Sequence, residues 1–460
     1  MPALPAEFVA GLEAALGAAH VTRDSAALER ASTATFPTTG RVLAIARPAS
    51  REEVIACVRL AREHRVALYP ISTGKNWGLG SRVPPAGEQV LLDLGRMNRI
   101  VAFDEELAHV TVEPGVTFGQ LRDFLVARGS RLYASSTGAT PRASVIGNTL
   151  ERGDGSGPHG DRVNHVCALE VVLGTGEVVR TGFARFGETP LAPLSRHGVG
   201  PALDGLFVQS RLGIVTQLTL WLTPLPRALG VVRFSIRDPE RLGPLVDAVR
   251  ALRLDGTFTA SAGIWNDWRV LSTLRQYPWD VAPTPPLGRA ALDSLAAEWG
   301  AQRWFGLAPI YAPSLAVAEA LAAHVRASLA PLTDRLTIDL RAGDPRAGAE
   351  LFHESEPAFH FLQGIPHEAS LRSVYWRKRS APPRDLDPER DRCGLLWACP
   401  AVPLRGAELA RAVALCEQEL LSHGFEPLLA FTTPTERLAY LIPLLVWDRD
   451  AEGDDERALA

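Results

Sequence analysis

With 460 residues, of which 46% are hydrophobic and 22% charged, the chain can fill two or three domains and bury a large core. A net charge of -4 and a pI near 6.3, with no long run of either sign, exclude an electrostatic nucleic-acid binder and give no signal for an anionic membrane surface. Five cysteines (Cys57, Cys167, Cys393, Cys399 and Cys416) lack CxxC spacing and read as buried thiols in a reducing compartment, with no metal site implied.

The opening segment MPALPAEFVAGLEAALGAAH has neither the basic start nor the long apolar centre of a signal peptide. No uninterrupted apolar run approaches the ~18 residues of a membrane span. A cytoplasmic protein is therefore expected. VLAIARP reads as a strand, and REEVIACVRLAREH, residues 51–64, as a helix with Val54, Ile55, Val58 and Ala61 on one face. Ser50 is its N-cap, and the strand ALYPI follows.

The exit of this strand, helix, strand unit is PISTGKNWGLG, Pro70 to Gly80. It fails the P-loop pattern, since Lys75 is followed by Asn76, and the spacing of Gly74, Gly78 and Gly80 fails the dinucleotide fingerprint. Small residues still let consecutive N–H groups turn toward one anion, with Ser72, Thr73 and Asn76 as further donors and Lys75 as a charge. The competing reading is a surface loop whose glycines only permit turns.

Next come the short apolar segments QVLLDL, RIVAF and HVTVEPG, then a helix from Phe118 to Ala127. The glycine-dense stretch from Thr137 to Gly182 contains one helical pattern, ASVIGNTLE, with Ser144 and Gly147 at its N-terminus. Together the two glycine segments could grip both ends of a pyrophosphate. CALEVVL, EVVRT and GIVTQLTLWLTP then complete an α+β domain, residues 1–228.

From Val231 the order is VVRFSI, then the helix RLGPLVDAVRAL. It recurs as GLLWACPAV, GAELARAVALCEQELLSH, PLLAFTT and LAYLIPLLVW. Two such halves predict ferredoxin-like repeats, an antiparallel sheet covered by helices over residues 229–448. Residues 449–460 could complete the first domain, and APPRDLDPERDR, 381–392, is a surface loop.

PISTGKNWGLG, LLDLGRMNRI, VTVEPGVTFGQL, ASVIGNTLERGDG, PHGD, ALEVVLGTGEVVRTG and DGLFVQSRLGIVTQLTLWL, in this order, closely resemble the family of vanillyl-alcohol oxidase and 4-cresol methylhydroxylase. The match spans residues 42 to 225 and continues more loosely through GLLWACPAVPLRG and SHGF. The resemblance implies a two-subdomain FAD-binding domain and a substrate cap whose antiparallel sheet covers the flavin. It places Pro70, Ile71, Ser72, Thr73, Gly74, Lys75 and Asn76 around the pyrophosphate. Gly138, Ala139, Thr140, Ser144, Gly147 and Asn148 fall near the flavin ring and ribityl chain. Gly155, His159, Gly160 and Asp161 complete the contacts, Ile214 lies by the adenine half, and Gly115 holds a turn near the cofactor.

The departures from the family pattern concern the substrate. Leu79 stands where a tyrosine binds the phenolate, and Ala139 where an aspartate faces flavin N5. Asp154, in ERGDG, replaces a small apolar residue near the reacting carbon and is a candidate base; a turn-capping surface acid is the competing reading. Arg142 could anchor a substrate carboxylate or be a solvated surface arginine. His159 packs where the family has an aromatic residue. At the position of histidyl flavin linkage stands Leu395, and a tyrosyl link would fall to Tyr375, which otherwise reads as a core residue of an apolar strand. Non-covalent FAD is expected.

The family's chains continue past WDRDAEGDDERALA into elements of the phenolate pocket; these are lacking here or lie outside the sequence given. The resemblance implies hydride abstraction from the benzylic carbon of a small para-oxygenated aromatic substrate. Oxidative decarboxylation of a tyrosine-derived acid to a styryl-type alkene is the first alternative, and a flavin binder without turnover the second. Oxygen or a redox protein would accept the electrons, and the family suggests a homodimer.

Overall fold

The helix Arg51–Glu63 begins where Ser50 Oγ accepts the Glu53 N–H at 3.2 Å, and it turns Val54, Cys57, Val58 and Ala61 into the core in a computed structural model of the protein. Cys57 takes a place on this face that the spacing gave to Ile55, which is only partly buried. The structure describes residues 4–342 and 357–460. They form two units, Met1–Gly155 with Asp161–Pro224, and Ser156–Gly160 with Leu225–Ala460.

The first unit holds two sheets. In one, the strands Arg41–Ala46, Glu88–Asp93 and Leu68–Ile71 lie parallel, with Val21–Thr22 antiparallel at the edge. Phe8, Leu12, Val54 and Cys57 pack on Ala44, Val90 and Leu92 of this sheet. The parallel pairing of Leu68–Ile71 with Val90–Asp93 delivers the loop after Ile71 to the carboxyl edge, where open parallel sheets bind ligands. The other sheet is antiparallel and runs Ile100–Asp104, His109–Val112, Gly213–Trp221, Val166–Leu173, Val178–Arg180. Thr117 Oγ1 caps the helix Phe118–Ala127, which packs on this second sheet through Leu121 and Leu125.

The second unit is built on one antiparallel sheet. Its order is Arg335–Ala342, Ala228–Ile236, Trp304–Ala312, Gly263–Asn266, Leu428–Thr432, Leu438–Asp448, Cys393–Trp397, and Ala401–Pro403 also pairs with Leu438–Asp448. The helices Leu242–Leu254 and Gly406–Ser422 lie in corresponding places of the two halves and pack against each other. Their contact requires glycine: a Cβ on Gly406 would fall 2.1 Å from the Gly243 carbonyl oxygen.

Several sequence expectations change. The boundary falls after Pro224, and residues 449–460 belong with the second unit. Their helix Asp454–Leu459 is tied there by Trp447 Nε1 donating to Asp455 Oδ1 at 2.6 Å. Tyr375 ends a 3-10 helix, Ala369–Tyr375, where the apolar run predicts a strand. Cys399 is exposed in the irregular stretch between the strands Cys393–Trp397 and Ala401–Pro403, and Cys416 is half-buried, so only three of the thiols are core residues. Leu315–Leu332 is the one described helical segment long and apolar enough to cross a membrane. Charged Glu319 and Arg326 interrupt it, and Ala318, Ala322, Val325 and Leu329 face the core.

Buried ions in the second unit come mostly in satisfied sets. Arg377 Nε donates to Glu426 Oε2 at 2.9 Å, and the same carboxylate accepts from Trp376 Nε1 and the Leu287 N–H. Asp267 meets Arg289 at 2.5 Å and Arg303 at 3.4 Å, and Arg303 reaches on to Glu417 at 3.1 Å. Burial pushes Asp267 up to about 6, and burial together with the Asp267 charge pushes Glu417 from 4.5 to about 7. The folded chain therefore binds more protons than the unfolded chain in this window, and stability falls as pH rises from 3.8, the ordinary value of Asp267, to about 7. Glu417→Gln should remove the part of this decline that lies between about pH 6 and about pH 7, read from denaturant unfolding across pH.

Candidate functional site

The first unit contains a cavity of about 730 Å³, a size typical of ligand and cofactor sites. Both glycine segments line it. From the first come Pro70, Ile71, Ser72, Thr73, Gly74, Lys75, Asn76 and Leu79; from the second, Ser144, Gly147 and Asn148; and Ile214 borders it from the strand Gly213–Trp221.

The loop is shaped by its own chemistry. Gly74 adopts a φ of +64°, which favours glycine, and the Gly78 N–H donates to buried Thr35 Oγ1 at 3.0 Å. Lys75 Nζ lies 4.9 Å from the centroid of the Trp77 ring. On the other side, Ser144 Oγ accepts the Gly147 N–H at 2.9 Å and donates to the Pro114 carbonyl at 2.6 Å. The two walls touch, since a Cβ on Gly147 would sit 2.3 Å from Ser72 Oγ.

Gly115 does not line the cavity; it makes the turn that places Pro114, which does. Its N–H donates to the Met97 carbonyl at 2.7 Å, and a Cβ there would lie 2.5 Å from the Gly95 carbonyl oxygen and 2.8 Å from that of Met97.

Gly138, Ala139, Thr140, Gly155, His159, Gly160 and Asp161 are likewise outside the cavity lining. Thr140 is buried and its Oγ1 accepts the Arg142 N–H at 3.3 Å, so it orders its own turn. Asp161 leads into the 3-10 turn Arg162–His165 and accepts from Asn164 Nδ2 at 2.5 Å. His159 and Gly160 fall in the second unit. Arg142 is half-buried, with Nε 3.5 Å from Thr140 Oγ1.

Asp154 is also half-buried, and its Oδ1 accepts the Gly155 N–H at 2.9 Å. Behind it stands Arg162, a residue that the sequence reading passed over. Arg162 is 0% exposed. Its Nη2 donates to Asn148 Oδ1, to the Gly153 carbonyl at 2.8 Å and to the Asp154 carbonyl at 3.2 Å, and its Nη1 donates to the Ser135 carbonyl at 3.4 Å. Burial lowers its pKa to about 10, against the pull of Asp154 and Asp161. Gly155 has to be glycine, because a Cβ there would meet Arg162 Nη1 at 1.9 Å. The guanidinium thus braces the loop that carries Asp154 and joins it to Asn148 of the cavity wall. Its only sequence signal is a charged residue directly after PHGD, which reads as surface.

In the second unit, Leu395 and Tyr375 are each 1% exposed, and the Tyr375 hydroxyl donates to Asp391 Oδ2 at 2.6 Å. Leu79, by contrast, is 56% exposed at the cavity rim.

The chain is 45% identical over 465 aligned residues to 1'-carboxy-chondrochloren decarboxylase of Chondromyces crocatus, covering 98% of this chain and 86% of that one. It is 28% identical to the 4-cresol dehydrogenase [hydroxylating] flavoprotein subunit of Pseudomonas putida, over 88% of this chain and 74% of that one. Residues 42–182 match the family model of an FAD binding domain. The solved structure of p-cresol methylhydroxylase with substrate bound superposes with a TM-score of 0.89 at 26% identity, covering 98% of this chain and 84% of that one. This chain belongs to the vanillyl-alcohol oxidase and 4-cresol methylhydroxylase family. The 4-ethylphenol oxidase of Gulosibacter chungangensis, in its isoeugenol complex, agrees with a TM-score of 0.87 at 25% identity, over 99% and 85% of the two chains.

As a member of this family the protein is an FAD-dependent oxidoreductase. The cavity residues fit that cofactor. Small residues at 72–74 and 147 leave backbone open to the cavity, which Lys75 and Asn76 also line. Gly115→Ala should force the Pro114 turn off the Gly95 and Met97 carbonyls at a cost of about 1–3 kcal/mol. It should also lower the flavin content of the purified protein, measured by absorbance after denaturation, while far-UV circular dichroism is retained.

Proposed function

We propose that the protein catalyses oxidative decarboxylation of a para-oxygenated arylalkanoic acid, a tyrosine-derived acid in the widest sense, to a styryl-type alkene. The observation that carries this reading is the 45% identity, over nearly the whole chain, to a decarboxylase of a 1'-carboxy compound. Leu79 in place of the phenolate-binding tyrosine supports it, because a leucine at the rim fits an alkylated oxygen better than a free phenolate.

When bound, FAD supplies a hydride acceptor. The substrate Ar–CH2–CHR–COO⁻ gives up its benzylic hydrogen as hydride, the electron pair of the C–COO⁻ bond becomes the second bond of Ar–CH=CHR, and CO2 departs. The departing hydride carries the negative charge away, so atoms and charge balance. Arg162 holds the loop of Asp154 rigid through three backbone carbonyls, which fixes where that carboxylate acts. In this route no base is needed for carbon–carbon cleavage, and the Asp154 charge favours the developing benzylic cation.

A second reading is carried by the likeness to 4-cresol dehydrogenase [hydroxylating]. There water adds to the benzylic carbon after hydride loss, and Asp154 takes the proton that the water releases. We further propose that FAD is held without a covalent bond, since Leu395 offers no nucleophile and the Tyr375 hydroxyl is committed to Asp391. Delivery of electrons to a redox protein, with oxygen as the other acceptor, a homodimeric assembly and a cytoplasmic location complete the proposal. The Pseudomonas putida relative being a flavoprotein subunit supports the redox protein.

Incubation with 3-(4-methoxyphenyl)propanoate should reduce the flavin and release one CO2 and one 4-vinylanisole per turnover. A benzylic alcohol that keeps the carboxylate would establish the second reading, and a colourless protein that cannot be loaded with FAD would sink both. Acid denaturation should free all of the flavin, leaving the polypeptide at its unmodified mass; a flavin adduct in the mass spectrum would disprove non-covalent binding.

A further inference from the structure

Three polar side chains that the glycine pattern does not mark also line the cavity of the first unit: Tyr69, Glu151 and Arg211. Tyr69 is on the parallel strand Leu68–Ile71, Glu151 follows the last residue of the helix Val145–Leu150, and Arg211 lies just before the strand Gly213–Trp221. The Gln209 N–H donates to the Leu150 carbonyl at 2.9 Å, which fixes the stretch that carries Arg211 beside Glu151. Tyr69 feels both charges. Burial and then Glu151 raise the pKa of its phenol, and Arg211 lowers it.

The chain itself leaves all three unused. Among the described residues the Glu151 carboxylate, the Tyr69 hydroxyl and the Arg211 guanidinium make no hydrogen bond or ion pair, and none of them is a sealed orphan group. Glu151 is exposed, yet desolvation alone raises its carboxyl above the ordinary 4.5. The space that this carboxylate lines is the cavity.

An acid is an unfavourable lining for a cavity that takes a cofactor with a doubly negative pyrophosphate, because like charges repel. Lys75 and Arg211 on the same wall suit that dianion, whereas a carboxylate can only accept hydrogen bonds. Among the donors of FAD, the ribose of its adenosine half presents two neighbouring hydroxyls that the ring holds on one side. They match the two oxygens of one carboxylate, and charge-assisted hydrogen bonds of this kind are the strong ones. The open-chain ribityl hydroxyls would have to freeze several rotors to do the same.

We propose that Glu151, with Tyr69 and Arg211 beside it, accepts both hydroxyls of the adenosine ribose of FAD and so selects the dinucleotide over FMN, which has no such diol. The assignment lies wholly within the first unit and does not depend on which reaction the protein catalyses.

The test uses the full chain produced without flavin in riboflavin-starved cells. It is titrated with FAD, with the FAD analogue whose adenosine is 2',3'-dideoxy, and with FMN, and binding is read from flavin fluorescence. The wild-type protein should bind FAD about 10- to 100-fold more tightly than the dideoxy analogue. Glu151→Ala, a change at an exposed helix end, should bring FAD and the analogue within about 2-fold of each other by weakening FAD, and should not weaken FMN. Equal binding of FAD and the dideoxy analogue by wild type, or an unchanged preference for FAD in Glu151→Ala, overturns the assignment. FMN weakened as strongly as FAD would put Glu151 on the ribityl chain and overturns it equally.

Discussion

Ser144 Oγ stands between the Pro114 carbonyl, to which it donates at 2.6 Å, and the Gly147 N–H, from which it accepts at 2.9 Å. This one hydroxyl ties the turn at Gly115 to the start of the helix Val145–Leu150, so two stretches separated by a full helix share one wall. Gly115 can enter that turn only because it lacks a Cβ, its backbone being pressed against the Gly95 and Met97 carbonyls. Across the cavity, Gly147 meets Ser72 with the same economy of side chain. The cavity wall is therefore a matter of backbone approach, and it tolerates little bulk where the segments touch.

Buried charge divides the molecule by task. Where the role is structural the ions are completed within the chain: Arg377 by Glu426, Asp267 by two arginines, Arg162 by the carbonyls of the loop that bears Asp154. Completion gives rigidity, since removing either member would strand a desolvated partner. Among the described residues Arg269 is the exception in the second unit, with no acid beside it and Ser373 as its side-chain partner.

Much of this was legible in the chain itself. The helix Arg51–Glu63 and the strands around it follow from apolar periodicity and the Ser50 cap, and parts of both glycine segments, residues 70–76 and 144–148, line one cavity. What stayed hidden shares a cause. Arg162 and Arg269 are both buried, and composition and spacing carry no mark of an arginine that folding encloses. Tyr375 and Trp376 look like strand residues, yet they lie at the end of a 3-10 helix held by distant partners such as Asp391 and Glu426. Nothing local in residues 449–460 marks the helix Asp454–Leu459 as a partner of Trp447 in the second unit.

The sequence by itself determined the family, the cofactor and the two glycine walls, because each depends on local backbone freedom written in adjacent residues. Only the tertiary structure decided which charges are spent. Whether Asp154 is braced, whether Arg142 is occupied and whether Arg269 is left open are questions of desolvation and partner geometry between residues as far apart as 269 and 373. Such energies arise only when distant side chains are taken out of water together.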